Sequence, residues 1–336
     1  MTTPASGRML GRRPTDRRRL ANTVRLRLTG AVPAHPANVD HFTGVPLWML
    51  GGNDQFGTCG PTSIANYLVL LYWFLKGEAI TVTDDAVFDL YRRSGNPNFD
   101  PTTDADDNGV DMTVMLSALV KGGIEITHAD GTTELVKPLC YASVPTALDD
   151  LKAVTSIFGG VILAVDLDVA QQAQTDAHPP LWDYVKGSGV WGGHAIVGGL
   201  YTGNATAHAE DEAVISWQMN VGTTDAFVAR QLSEAYAVVF PVLWDSPDFQ
   251  AGVDAAALAA DYTAITGQPF PEPVPPSPAP PGPVPPPAPA GDAADLAFAH
   301  DPRVEHWADH EHHIGDNAHA AAAFKAWRTA KGISPS

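Results

Sequence analysis

The chain has 336 residues with a net charge of −18, and 45% apolar against 17% charged residues describes a globular protein long enough for one large core or two domains. No apolar run reaches the roughly 18 residues of a membrane span, so no membrane partner is expected. The charge is uneven: eight of the 20 Lys/Arg fall between Arg8 and Arg27 with Asp16 as the one acid among them, which leaves about −25 on a body that repels nucleic acid.

Residues 1–40 read as a basic, irregular arm. The stretch "MTTPASGRMLGRRPTDRRRLANTVRLRL" has charge but no apolar core after it, so no secretory signal is expected and synthesis belongs in the cytoplasm. Such an arm is a solvated tail, a cover on the protein's own acidic surface, or an attachment point for a protein partner. Two cysteines, Cys59 and Cys140, rule out a disulfide scaffold and leave at most one bridge.

Residues 41–265 carry the periodic segments. "CGPTSIANYLVLLYWFLKG" predicts a long helix, apolar almost all round and therefore buried, opened by the turn at Gly57–Pro61 and stopped by Gly77. "TVTDDAVFDLYRRSG" predicts a second helix. "DMTVMLSALVKGGI" predicts a third, capped by Asp111, and "VPTALDDLKAVTSIFG" a fourth. The pattern then changes. "GVILAVDLD", "GHAIVGGLYTG", "EAVISWQM" and "AYAVVFPV" are short, rich in Val and Ile and broken by Gly, as antiparallel strands are. Helices first and strands later is α+β order.

Residues 266–290 form a proline-rich linker, with 13 prolines in 268–289. Proline lacks the N–H that helices and sheets need, so a stiff spacer of about 65–70 Å is expected, or a ligand for a proline-reading partner. Residues 291–336 predict a small helical tail of two short helices that docks on the body or on a partner. His306, His310 and His313 share one helix face there, as zinc ligands do. An exposed polar face has the same pattern, and no metal is expected. "DPTTDADDNGVD" lacks the Glu that closes a calcium loop and reads as an acidic loop capping the next helix. No nucleotide loop or HExxH occurs, and no cofactor is expected.

Chemistry concentrates at "NDQFGTCGPTSIAN". A thiol needs its pKa lowered to be a nucleophile, and a helix N-terminus or an imidazolium does this. Cys59 opens the predicted buried helix, where unsatisfied N–H groups also suit a developing oxyanion. Gln55 offers a second amide donor upstream. Of 12 histidines, His194 begins a predicted core strand, in "VWGGHAIVGGLY", with Gly192 and Gly193 leaving room beside it. Cys140, in "VKPLCYASVP", has neither device and reads as a buried thiol.

These segments, in this order, resemble the papain-like cysteine peptidases over residues 45–240. "NDQFGTCGPTSIAN" looks like their cysteine helix, in a form similar to bacterial branches of the superfamily. "DNGVDMTVMLSALVKGGI" resembles their Gly-rich segment and helix, and "GGVILAVDLD" and "GGHAIVGGLYTG" their central strands. The wording "MLGGNDQFGTC" also looks like accessory proteins of actinobacterial tailed phages and prophages. The resemblance implies a papain-like α+β fold and a cysteine hydrolase acting on a peptide or amide bond, a peptidoglycan stem included. Cys59 would be the nucleophile, His194 the general base, and Gln55 an oxyanion donor. The alternative it leaves is a papain-fold structural or binding protein without turnover, associated with a virion.

One position departs from the family. Where it carries an Asn that orients the imidazole, this chain has Trp217, with Ser216, Gln218 and Asn220 as neighbouring oxygens. Alternation along "AVISWQM" puts Ser216 and Gln218 on one side, and Gln218 is the expected orienter because its amide oxygen accepts from a ring N–H.

Overall fold

A computed structural model describes residues 8–29, 35–203 and 211–271. The expected helical tail and most of the proline-rich linker lie outside the described residues. The architecture is mixed α+β, with helices concentrated in the first half and a large sheet in the second.

The cysteine helix spans Cys59–Lys76 and buries every residue from Cys59 to Tyr72. An all-round apolar sequence explains this, since no face of it gains from meeting water. Gly77 ends the helix in the left-handed conformation (φ 62°), which glycine adopts without a Cβ penalty. The other expected helices form at Asp84–Arg93, Met112–Gly122 and Leu148–Phe158. Asp111 caps the third, accepting from the N–H groups of Thr113 and Val114, the role its sequence position suggested.

The main sheet runs in the order Cys140–Val144, Leu232–Val239, Val161–Asp168, Val190–Tyr201, Glu212–Ser216, Met219–Thr223 and Leu181–Trp182. All neighbours pair antiparallel except the last two strands, and the short segment Val39–Asp40 adds to the long central strand. That central strand, Val190–Tyr201, carries His194 and packs against the cysteine helix. Tyr67 fastens the two layers, its hydroxyl donating to the Phe158 carbonyl at 3.2 Å. A buried amide sets the loop before Cys59: Asn66 donates to the Met49 carbonyl and accepts from its N–H, at 2.9 and 2.7 Å.

Three sequence expectations need correction. Residues 8–29 of the arm are neither irregular throughout nor a solvated tail; their contacts fit a cover on the protein's own acidic surface. Arg12–Arg13 pairs parallel with Val110–Asp111, Arg17–Ala21 is a helical turn capped by Asp16, and Val24 and Leu26 exchange backbone hydrogen bonds with Ser143. The linker does not start as a bare spacer, because Phe270 packs on Trp244 and Tyr262 with ring centroids 5.9 and 5.4 Å away. The strand "EAVISWQM" stops at Ser216. Trp217 and Gln218 both have positive φ (46° and 65°) and form the two-residue turn of a hairpin, with Ser216 opposite Met219.

Candidate active site

Cys59 is the first residue of its helix. Thr58 precedes it but donates its hydroxyl to the Gly51 carbonyl at 2.8 Å, so no side chain caps the helix start. The first-turn N–H groups of a helix have no acceptor within it and face whatever lies at the helix mouth. The Cys59 sulfur lies there, beside backbone groups of Ala195, Gly11 and Gly60 that favour its thiolate. Ala195 is the neighbour of His194, so the central strand approaches the cysteine helix one residue from that histidine.

His194 is held on two sides. Its Nε2 lies 2.8 Å from the Ser216 hydroxyl. Its ring stacks on Trp217 with centroids 4.3 Å apart and planes 16° from parallel. Trp191 stacks on that indole at 5.8 Å, and Trp182 meets the imidazole edge-on at 6.4 Å. The other nitrogen, Nδ1, is buried with no hydrogen bond among the described residues.

Gln218 is therefore not the orienter. The turn swings its side chain away, and its amide donates to the Trp48 carbonyl at 2.8 Å. Alternation placed Ser216 on the correct side, but the strand ends there, so Ser216 takes the imidazole and Trp217 covers it. Gln55 is likewise elsewhere, exposed, with its amide 3.4 Å from Asp54. Asn53, in the same loop, is held against the arm instead, its carbonyl accepting from Met9 N–H at 3.1 Å. It is buried, and its amide donates to the carbonyls of Phe56 and Met9, at 3.0 and 3.2 Å. The only sequence signal for Asn53 was a second amide side chain two residues before Gln55.

The arm fills the groove between the two halves. Gly11 lies against Gly57 and Gly109, and its carbonyl accepts from Val110 N–H at 2.7 Å. A Cβ on Gly11 would overlap the Gly57 carbonyl, and one on Gly193 would overlap the Arg12 carbonyl. The slot is thus one backbone wide on both walls, which only glycine at these contacts permits. Asp107 and Tyr91 brace one wall: Asp107 accepts from Gly57 N–H at 3.0 Å and from the Tyr91 hydroxyl at 2.6 Å. Arg8 reaches along the other side, its guanidinium 5.8 Å from the Trp217 ring and 2.5 Å from Asp176.

Cys59 is only 1% exposed, as a member of the hydrophobic core with the arm's Gly11 beside it. Burial pushes its thiol pKa up, outweighing the neighbouring backbone groups and Arg12, which pull it down. Burial also lowers His194 to about 3. Both shifts favour the neutral thiol and neutral imidazole, a resting pair. Cys140 is buried and pushed up to about 12 by that burial, and both cysteines are free thiols.

The low histidine pKa has a consequence for stability. An unfolded histidine gains a proton below about pH 6.5, whereas folded His194 does so only near 3. His41, buried against Phe74 and lowered to about 4, behaves the same way. The unfolded state then binds more protons, so stability is complete above pH 6.5 and falls below it, by up to about 1.4 kcal/mol per pH unit per histidine. Thermal unfolding followed from pH 7 to 4 should show this loss, and His41→Asn should flatten it. An equal acid loss in that variant would remove His41 as a source of the effect.

Among solved structures the chain is similar to xylellain, a cysteine protease from Xylella fastidiosa, at a TM-score of 0.50 and 11% identity, covering 71% of this chain and 98% of that one. The fold is papain-like. Similarity extends to procathepsin B of Trypanosoma congolense, at a TM-score of 0.44, 11% identity and 70% and 86% coverage, and to procathepsin L 3 of Tenebrio molitor, at 0.45, 11%, and 65% and 76%. No family model and no curated protein matches the sequence. Within the papain-like frame, the cysteine helix and the histidine strand face each other across the groove that the arm occupies.

Proposed function

We propose that this protein is a papain-like cysteine hydrolase of peptide or amide bonds, held at rest by its own arm. The observation that carries the reading is the imidazole. His194 is buried and fixed by Ser216 and Trp217, its Nδ1 makes no hydrogen bond among the described residues, and the next residue of its strand, Ala195, lies beside the Cys59 sulfur, which supports a role as base. With the proton on Nε2 donated to Ser216, Nδ1 takes the thiol proton as sulfur attacks the carbonyl carbon. The oxyanion then receives hydrogen bonds from Cys59 N–H and from the Asn53 N–H that the Met9 carbonyl gives up when the arm leaves. His194 returns the proton to the departing amine, and water hydrolyses the thioester.

The sulfur is covered, which on its own favours a papain-fold protein without turnover. Part of the cover, however, is the backbone of an N-terminal segment, whose Gly11 lies beside the sulfur, while the rest is the hydrophobic core that Cys59 joins. Intact-mass labelling with iodoacetamide tests the reading, with Cys59→Ala and His194→Ala as controls. Slow labelling at Cys59 that accelerates when the arm is unseated supports it, and no labelling in either form contradicts it.

Two further outcomes follow. Ser216→Ala should slow Cys59 alkylation about 3–10-fold, matching the loss of one hydrogen bond to the ring, while Gln218→Ala should leave it within about twofold. The reverse ranking would return the orienting role to Gln218. Asn53→Ala should reduce peptide hydrolysis on the order of 10²-fold while alkylation, which forms no oxyanion, stays unchanged. Equal losses in both assays would make Asn53 a structural residue only.

A further inference from the structure

Arg12 sits one residue along the arm from Gly11, which covers the nucleophile. Its side chain is 2% exposed and ends among three acceptors. Nη1 lies 2.7 Å from Asp166, and Nη2 lies 2.8 Å from Glu234 and also meets the Ser233 hydroxyl. Glu234 is buried at 6% side-chain exposure, and Asp166 stands at the rim at 55%. Four hydrogen bonds reach the Glu234 carboxylate: from Arg12, from Thr15 N–H at 3.3 Å, from the Thr15 hydroxyl at 2.7 Å and from Tyr236 at 2.7 Å. Three of the four come from the arm. The body contributes two carboxylates and a hydroxyl, and the cation comes from the arm.

When the arm leaves, this pocket loses its cation, and Glu234 keeps Tyr236 as its partner among the described residues. A buried carboxylate without a counter-ion is costly. Three acceptors spread around a planar fork suit guanidinium better than the point charge of an ammonium. We infer that the Asp166–Ser233–Glu234 pocket is a specificity pocket, and that the substrates are peptides carrying arginine one or two residues from the bond that Cys59 attacks. This rests on the cysteine-hydrolase reading and adds the substrate class to it.

The test uses the full chain with Gly11→Leu and Arg12→Ala, which unseats the arm and empties the pocket. Three electrophiles are compared at Cys59 by intact mass: iodoacetamide, a dipeptidyl vinyl sulfone carrying arginine, and its citrulline twin, the same shape without charge. The arginine compound should react at least tenfold faster than the citrulline one. Glu234→Gln should erase most of that ratio. Should that variant fail to fold by circular dichroism, Asp166→Asn at the exposed rim should still reduce the ratio severalfold. Equal rates for the twins, with iodoacetamide fast, would overturn the pocket and leave the reactive thiol standing. Failure of all three to modify Cys59 above the Cys59→Ala background would overturn the hydrolase reading and this inference with it.

Discussion

Replacing Gly11 by leucine in the full chain should raise the rate of Cys59 alkylation on the order of 10²-fold. The added side chain would overlap the Gly57 carbonyl on the wall of the groove, so the arm cannot seat as it does now. Unseating removes the arm's share of what buries the sulfur and exposes the imidazole to water. Both pKa shifts then relax, the thiol downward and the ring upward, toward the reactive ion pair. The expected size follows from the arm's anchors. A desolvated ion pair such as Arg12–Glu234 resists breakage by about 3–5 kcal/mol, which corresponds to about 10²–10⁴ in the open population, and the expected rise sits at the lower end of that range. Cys140 supplies the internal control, since it lies on the strand Cys140–Val144 and should stay unlabelled in both forms. Unchanged Cys59 reactivity in the variant would mean that something other than the arm covers the thiol.

Arg12→Ala should have the largest effect on stability. It leaves Glu234 without its cation, and Asp166 and Ser233 without the donor they share. The loss should be about 3 kcal/mol or more, beginning as lost amide-exchange protection at residues 9–13. Replacing both partners, Arg12→Leu with Glu234→Leu, should recover part of it, because two apolar groups leave no charge buried alone. A melting temperature for Arg12→Ala within a degree or two of wild type would show that the carboxylate rehydrates freely. The arm would then be a loosely held cover.

The sequence reading succeeded where one local signal decided the structure. The all-round apolar run after Cys59 can only be a buried helix, and Gly77 stops it. Val- and Ile-rich segments gave the strands, and glycines before His194 marked the place where another backbone comes close. It failed where the deciding interaction is between distant residues. The basic run that looked like a solvated arm is held by Asp166 and Glu234, 154 and 222 residues away from Arg12. Charge alone cannot reveal that one of eight cations is buried. Gln218 was misplaced because alternation was extended two residues too far. A hairpin turn with positive φ at Trp217 and Gln218 lacks the Asn-Gly signature that usually announces it. Gln55 and Asn53 lie two apart in one irregular loop, and only its turns decide which amide faces the groove.

The pH dependence of Cys59 alkylation in the Gly11→Leu chain tests the central claim, that Cys59 and His194 form an activatable pair. The rate should rise through an apparent pKa below the roughly 8.5 of an ordinary thiol, and return to about 8.5 or above when His194 is replaced by alanine. A single inflection at or above 8.5 that His194→Ala does not move would contradict it.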